Sequence, residues 1–358
     1  MTDDLHSNDR VVVLNTGDPA LDNNRAFDPE EAGKISHTCL PGCYLYQEAL
    51  KVGIKFVTPD VYFNFKIKPK KVFLISHLNG GPYIDKLMNE KNVIPLILTC
   101  QESPFVATRF YLRLKKISRL YKHSFVFSGM KNMLSDRTIY HQMFFPQPYN
   151  FTEGSPTGFK DKKFLVIVAG AKGIGNLAKS LLLKLFYGFT VKEIYPERRK
   201  AISFFSKVSG FDLYGYGWDK VNFKDLNKES VKLCYRGAVD DKIATLKRYR
   251  FALCFENAIF PGYITEKIFD AMFAGCVPVY YGAPDIAEYV DQPSFIDFRR
   301  FNSYQELFGY LSNINEAEYN KYLANIRNYF NSDNYQKFTQ ESYARQILTI
   351  LKDEFQIR

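Results

Sequence analysis

Residues Tyr249 to Gly282 read YRFALCFENAIFPGYITEKIFDAMFAGCVPVYYG. An apolar run, Phe251–Phe255, predicts a buried strand that ends by delivering Glu256 and Asn257. A loop with Pro261 and Gly262 follows, then a helix over Ile264–Phe273 with Glu266 and Lys267 in its first turn. Gly275 stops the helix and Val277–Tyr280 begins the next strand. A helix N-terminus presents unpaired N–H groups and a partial positive charge, both of which favour phosphate. Lys267 adds a full positive charge where a cation disfavours the helix itself, which makes sense if an anion sits beside it. Glu266 suits the hydroxyls of a ribose. The plain alternative is an ordinary strand–helix–strand unit in which Thr265 is an exposed start residue and Glu266 and Lys267 a solvated pair.

The same alternation continues outward. Strands are predicted at Val11–Asn15, Lys71–Ser76, Val93–Thr99, Ser124–Phe127, Phe164–Ala169, Phe211–Tyr214 and Ser294–Asp297. Helices are predicted at Tyr44–Val52, Glu197–Val208, Asp240–Lys247, Tyr304–Ile314, Glu316–Phe330 and Tyr335–Phe355. Strands alternating with helices imply parallel βαβ units. The chain of 358 residues is long enough for two domains. Phe144–Gly158 carries Pro, Gly, Asn, Ser and Thr without periodicity and reads as a linker. The expected division is 1–150, 151–334 and a C-terminal helix over 335–358. Two α/β halves suggest paired Rossmann-like domains facing each other across a cleft, with ligands outside the carboxyl ends of the strands. The loops after Thr99, Ala169 and Phe255 are then the ones to watch.

Composition narrows the classes. There are 32 Phe and 25 Tyr, and the formal net charge is +10. Part of that excess is local: Lys66, Lys68, Lys70 and Lys71 form one cluster, and Arg109, Arg113, Lys115, Lys116, Arg119 and Lys122 another. The plainer reading of the second cluster is a surface helix with a solvated basic face. The sharper one is a patch resting on an anionic bilayer. No nucleic-acid module is recognisable, so nucleic acid is not the expected partner. No signal peptide and no apolar stretch of membrane-spanning length is read. The six cysteines fit a reducing cytosol. Cys39 and Cys43 near His37 lack a second ligand pair at zinc spacing, so no metal is expected there. Gly170-Ala171-Lys172-Gly173-Ile174-Gly175 lacks both the Gly-Lys-Ser/Thr ending of a P-loop and the Gly-x-Gly-x-x-Gly spacing.

The Tyr249–Gly282 segment resembles the signature of glycosyltransferase family 10, the α-1,3/1,4-fucosyltransferases. The resemblance rests on Tyr249-Arg250-Phe251, Cys254-Phe255-Glu256-Asn257, Gly262-Tyr263-Ile264-Thr265-Glu266-Lys267 and Ala274-Gly275-Cys276-Val277-Pro278-Val279. Phe211-Asp212-Leu213-Tyr214-Gly215, Gly237, Asp241-Lys242 and Glu197-Arg198-Arg199-Lys200 extend it. It implies a GT-B fold, a GDP-sugar bound by the C-terminal domain, and inverting transfer of L-fucose from GDP-fucose to an oligosaccharide or glycoconjugate. It assigns Glu266 to the ribose, Lys267 to the diphosphate, and Tyr263 and Asn257 to the donor site. Arg199 is the second phosphate-binding cation, with Arg198 as the alternative, and Glu256 belongs to the same signature with its role open.

The expected general base is Glu102, in the loop after Val93–Thr99. Cys100-Gln101 stands where the family has a glycine, and only Ser103 separates Glu102 from Pro104. Asp18 and Asp85 are the reserve candidates. An acceptor hydroxyl needs a base as it attacks. The departing GDP needs fixed positive charge, which Arg199, Lys267 and the helix N-terminus would supply. No cofactor is required on this reading, and a manganese or magnesium requirement stays open. So do a different GDP-hexose donor and a catalytically silent carbohydrate-binding protein. The expected location is the cytoplasm, peripheral at the inner membrane face.

Overall fold

The computed structural model describes residues 9–148, 158–172, 181–185, 191–220 and 222–357. The chain divides into two compact units. Unit 1 comprises Met1–Glu102, Val106–Pro148 and Lys337–Arg358; unit 2 comprises Ser103–Phe105 and Tyr149–Gln336.

Unit 1 is built on a sheet of β1 (Val11–Asn15), β2 (Lys55–Val57), β3 (Val72–His77), β4 (Val93–Thr99), β5 (His123–Val126) and β6 (Ile139–Gln142). Their order is β2-β1-β3-β4-β5-β6 and every pair is parallel. β1, β3 and β4 are near-continuous apolar runs because inner parallel strands are covered on both faces. Val11, Val12, Val13, Leu74, Ile97 and Leu98 are wholly buried.

Unit 2 contains β7 (Lys163–Val168), β8 (Lys192–Glu193), β9 (Phe211–Tyr214), β10 (Tyr249–Phe255), β11 (Ala258–Ile259), β12 (Val277–Tyr281) and β13 (Ile296–Asp297). Five of them form a parallel sheet in the order β13-β12-β10-β7-β9, and β8 pairs antiparallel with β11. Its core gathers Leu165, Ile167, Leu213, Phe251, Leu253 and Val277.

Numbered within each sheet, unit 1 has the order 2-1-3-4-5-6 and unit 2 the order 2-1-3-4-5. The direction of winding therefore reverses between β1 and β3 in unit 1, and between β7 and β10 in unit 2. Open α/β sheets bind ligands at such reversals, outside the carboxyl ends of the strands. In unit 2 that point is where Phe255 hands over to Glu256.

Several boundaries differ from expectation. Tyr335–Phe355 is not one helix: Asp333–Gln336 is a separate one-turn helix, and Thr339 caps a fresh helix, Gln340–Phe355, by accepting from the Ser342 N–H. That last helix belongs to unit 1, where it packs on the helix Leu40–Lys51. Its Phe355 ring meets Phe73 at 4.7 Å. The basic segment forms two short helices, Thr108–Leu112 and Leu114–Ser118, rather than one. Arg109, Arg113, Lys115, Lys116, Arg119 and Lys122 are all exposed. Of the expected linker, 149–157 lies outside the described residues. The part before it is structured, since Gln147 bridges to Thr339. Gly173–Gly175 of the glycine loop also lies outside the described residues.

Candidate functional site

The site in unit 2 grows from the end of β10. Glu256 is fully buried. Its backbone N–H donates to the Tyr281 carbonyl at 2.8 Å, which fixes it beside the end of β12. Gly282 makes the room: a Cβ there would lie 2.5 Å from Glu256 Cγ. The loop through Pro261 turns at Gly262, whose φ is 71°. Such a φ suits glycine, and the Gly262 N–H donates to Asp285 Oδ1 at 2.9 Å.

The chain then reaches Thr265 at the start of the helix Glu266–Phe273. No side chain caps this helix. Thr265 instead directs its hydroxyl and its backbone N–H at Glu256, with distances of 2.8 to Oε2 and 2.8 Å to Oε1. Lys267 Nζ donates to Thr265 Oγ1 at 2.9 Å and sits 3.2 Å from Glu256 Oε2 and 3.4 Å from Glu266 Oε1. Thr265 is 2 % exposed and the Lys267 side chain 16 %. That burial excludes the solvated-pair reading of this turn. Burial alone would lower the Lys267 pKa, but Glu256 and Glu266 outweigh it and hold it above the usual lysine value.

A second cation comes from the helix Tyr195–Phe205. Arg198 Nε donates to the Phe255 carbonyl at 3.1 Å, and Nη2 donates to Asn257 Oδ1 at 2.9 Å. Asn257 Nδ2 in turn donates to the Tyr263 hydroxyl at 3.2 Å. Arg198 is buried, and desolvation pulls its pKa below the usual guanidinium value against the opposing pull of Tyr195, Glu256, Tyr263 and Glu266.

Arg199 is placed differently. Neighbours on a helix do not share a face. Arg199 Nε donates to both oxygens of Asp225, at 2.7 and 2.8 Å, and its guanidinium lies over Phe223 at 4.7 Å. The structure thus brings together Arg198, Glu256, Asn257, Tyr263, Thr265, Glu266 and Lys267, and gives Arg199 a different set of partners.

The third cation was not singled out from sequence. Lys242 opens the helix Lys242–Leu246, with Nζ 2.6 Å from Asp270 Oδ2 and 3.7 Å from Glu266 Oε1. Its only signal was membership of the familial Asp241-Lys242 pair. Arg198, Lys242 and Lys267 line one cavity of about 20 Å³ together with Val168, Ala169 and Phe255. That volume holds about one water.

In unit 1, Glu102 is half-buried beyond the end of β4. Its backbone carbonyl accepts from the Tyr111 hydroxyl at 2.9 Å and from the Cys100 thiol at 3.5 Å. Asp18 is exposed and caps the short turn Pro19–Leu21 by accepting from the Ala20 N–H at 3.0 Å. Asp85 is exposed in the first turn of the helix Ile84–Asn89. Cys43 donates to the Ala26 carbonyl at 3.3 Å, and none of the six cysteines is disulfide-bonded. Among the described residues no helix is long and apolar enough to cross a membrane.

Residues 192–352 match the family model Glycosyltransferase family 10 (fucosyltransferase) C-term. The resemblance read from Tyr249–Gly282 therefore holds over that whole segment. The alpha-(1,3)-fucosyltransferase FucT of Helicobacter pylori is 38 % identical over 85 residues, 24 % of this chain and 18 % of that protein. The GDP-fucose protein O-fucosyltransferase 3 of Gallus gallus is 41 % identical over 81 residues, 22 % of this chain and 17 % of that protein. The chain thus spans about a fifth of the length of such relatives. A crystal structure described as alpha1,3-fucosyltransferase with GDP superposes with a TM-score of 0.53 at 17 % identity, covering 98 % of this chain and 94 % of that one. Anabaena HepE in complex with UDP-glucose gives 0.56 at 12 % identity, covering 96 % and 99 %. The fold is α/β of the GT-B type, with two Rossmann-like units.

Proposed function

We propose that this chain is an inverting fucosyltransferase that moves L-fucose from GDP-β-L-fucose to a glycan hydroxyl, forming an α-1,3 linkage. The observation that carries the reading is the buried charge cluster at the β7/β10 reversal, where Arg198, Lys242 and Lys267 meet Glu256 and Glu266. A cluster of this kind is arranged to hold a diphosphate and its ribose. Fixed cations in a water-poor site stabilise charge that builds on a leaving group.

On this reading unit 2 binds the donor and unit 1 the acceptor. Glu102 takes the acceptor proton as C1 of fucose gains oxocarbenium character. Lys267 and Arg198 hold the departing GDP without a metal. The relatives' names include an alpha-(1,3)-fucosyltransferase and a protein O-fucosyltransferase; a glycan hydroxyl is preferred because an α-1,3 linkage denotes a hydroxyl on a sugar ring. The exposed cations of residues 109–122 would let the protein rest on an anionic bilayer, which sedimentation with phosphatidylserine vesicles at low salt would test.

The test of the main reading is direct. GDP raises the melting temperature where ADP does not, and GDP-fucose with a glycan array releases GDP. Release from GDP-mannose but not GDP-fucose would replace the donor. Binding of GDP without release from any sugar nucleotide would mark a silent protein.

A further inference from the structure

We propose that Lys242 is a positioning residue for Glu266, and that through it the unit 2 site selects a ribonucleoside diphosphate over its 2′-deoxy counterpart. The inference rests on the donor reading above, and goes beyond it by assigning sugar selectivity to a residue that need not touch the ligand.

Glu266 and Asp270 stand four residues apart on one helix, so their side chains are neighbours on the same face. Two carboxylates so placed repel each other. Asp270 is fully buried, and a buried carboxylate without a counter-charge is strongly disfavoured. Lys242 arrives from a separate helix and resolves both problems. Its Nζ lies 2.6 Å from Asp270 Oδ2 and 3.7 Å from Glu266 Oε1. Asp241 caps the Lys242 helix by accepting from the Ala244 N–H at 2.9 Å, which fixes where Lys242 starts.

The consequence falls on Glu266. Its Oε1 is flanked by two ammonium groups, Lys242 at 3.7 Å and Lys267 at 3.4 Å. A carboxylate held between two cations is fixed in orientation. An ionised carboxylate only accepts hydrogen bonds, so it recognises a donor such as a hydroxyl. Beside a diphosphate site, the vicinal hydroxyls of a ribose are such donors. Lys242 is the tether that aims this acceptor. Lys267, already committed to Thr265 and Glu256, cannot do so alone.

The experiment compares affinities for GDP and 2′-deoxy-GDP by calorimetry. A hydrogen bond to a charged group is worth roughly tenfold or more in affinity, so the wild type should prefer GDP by about that factor. Lys242→Met should bring the ratio to within about twofold of unity. Because that variant takes the Lys242 counter-charge away from buried Asp270, the double variant Lys242→Met/Asp270→Leu provides a folded counterpart, since a buried ion pair tolerates apolar replacement; it should show the same loss. Asp270→Asn should lower the melting temperature and keep the preference. If Lys242 is only a strut between helices, the double variant keeps the roughly tenfold preference, or Asp270→Asn loses it, and the inference fails. A wild type that binds GDP with no preference sinks this inference alone. A wild type that does not bind GDP at all sinks the donor reading with it.

Discussion

Glu256 accepts two hydrogen bonds from one residue, the backbone N–H and the hydroxyl of Thr265. The residue that would ordinarily cap the helix is therefore tied to a carboxylate buried at the end of the neighbouring strand. Lys267 Nζ completes the triad at 3.2 Å from Glu256. The turn is built from inside outward: a buried acid fixes the threonine, and both fix the lysine.

Glu256→Ala therefore leaves Lys267 with less than its share of negative charge in a buried place. Removing one partner of a buried pair costs about 3 kcal/mol or more. Glu256→Gln loses the same charge but keeps an acceptor for Thr265, so it should cost about 1 kcal/mol less, the worth of a retained hydrogen bond. Urea denaturation of the two variants measures both. Equal, small losses would mean that Glu256 is not the anchor of this turn.

The two adjacent arginines give a sharper contrast. Arg198→Met should weaken GDP binding by roughly tenfold or more, the worth of a charge-assisted contact. Arg199→Met should leave GDP affinity within about threefold, because its guanidinium is engaged by Asp225 and Phe223. Calorimetric titration of both with GDP decides the matter. The opposite ranking would restore Arg199 as the phosphate cation.

Much of unit 2 could be read from the sequence. The run Phe251–Phe255, the Pro261–Gly262 turn and the helix after Thr265 announce themselves through apolar continuity and punctuation. Sequence could not choose between Arg198 and Arg199, because one residue step turns the side chain by more than a quarter of a circle. Nor could it find Lys242, whose partners Glu266 and Asp270 lie on a different helix. The strands β2 and β6 escaped for physical reasons. Lys55–Val57 has only three residues, and Ile139–Gln142 is an edge strand with no buried position. Their existence depends on neighbours already in place.

His77 provides a pH prediction within unit 1. Burial lowers its pKa to about 4, and its Nδ1 lies 3.3 Å from Thr99 Oγ1. The unfolded chain binds a proton there near pH 6.5, the folded chain only near pH 4. Between those values the unfolded state holds more protons, so stability falls as the pH drops through that window. At pH 5 the loss from this residue is on the order of 2 kcal/mol relative to pH 7. His77→Asn should flatten that part of the acid limb by the same amount. Identical limbs for wild type and variant would show that His77 protonates freely in the folded protein.

On the proposed reading, the acceptor proton goes to Glu102. Glu102 follows β4 at a carboxyl end, and its backbone carbonyl is fixed by the Tyr111 hydroxyl. That bond holds the loop through its main chain. Glu102→Gln preserves size and polarity and removes only the ability to take a proton. Turnover with GDP-fucose and an accepted glycan should fall about 10² to 10⁴-fold. Affinity for GDP should not change on the proposed reading, since Glu102 belongs to unit 1 and the three cations belong to unit 2. Asp18→Asn and Asp85→Asn serve as comparisons, because Asp18 caps a turn and Asp85 is exposed. Normal turnover in Glu102→Gln, with a collapse in either of the others, would move the base to that aspartate.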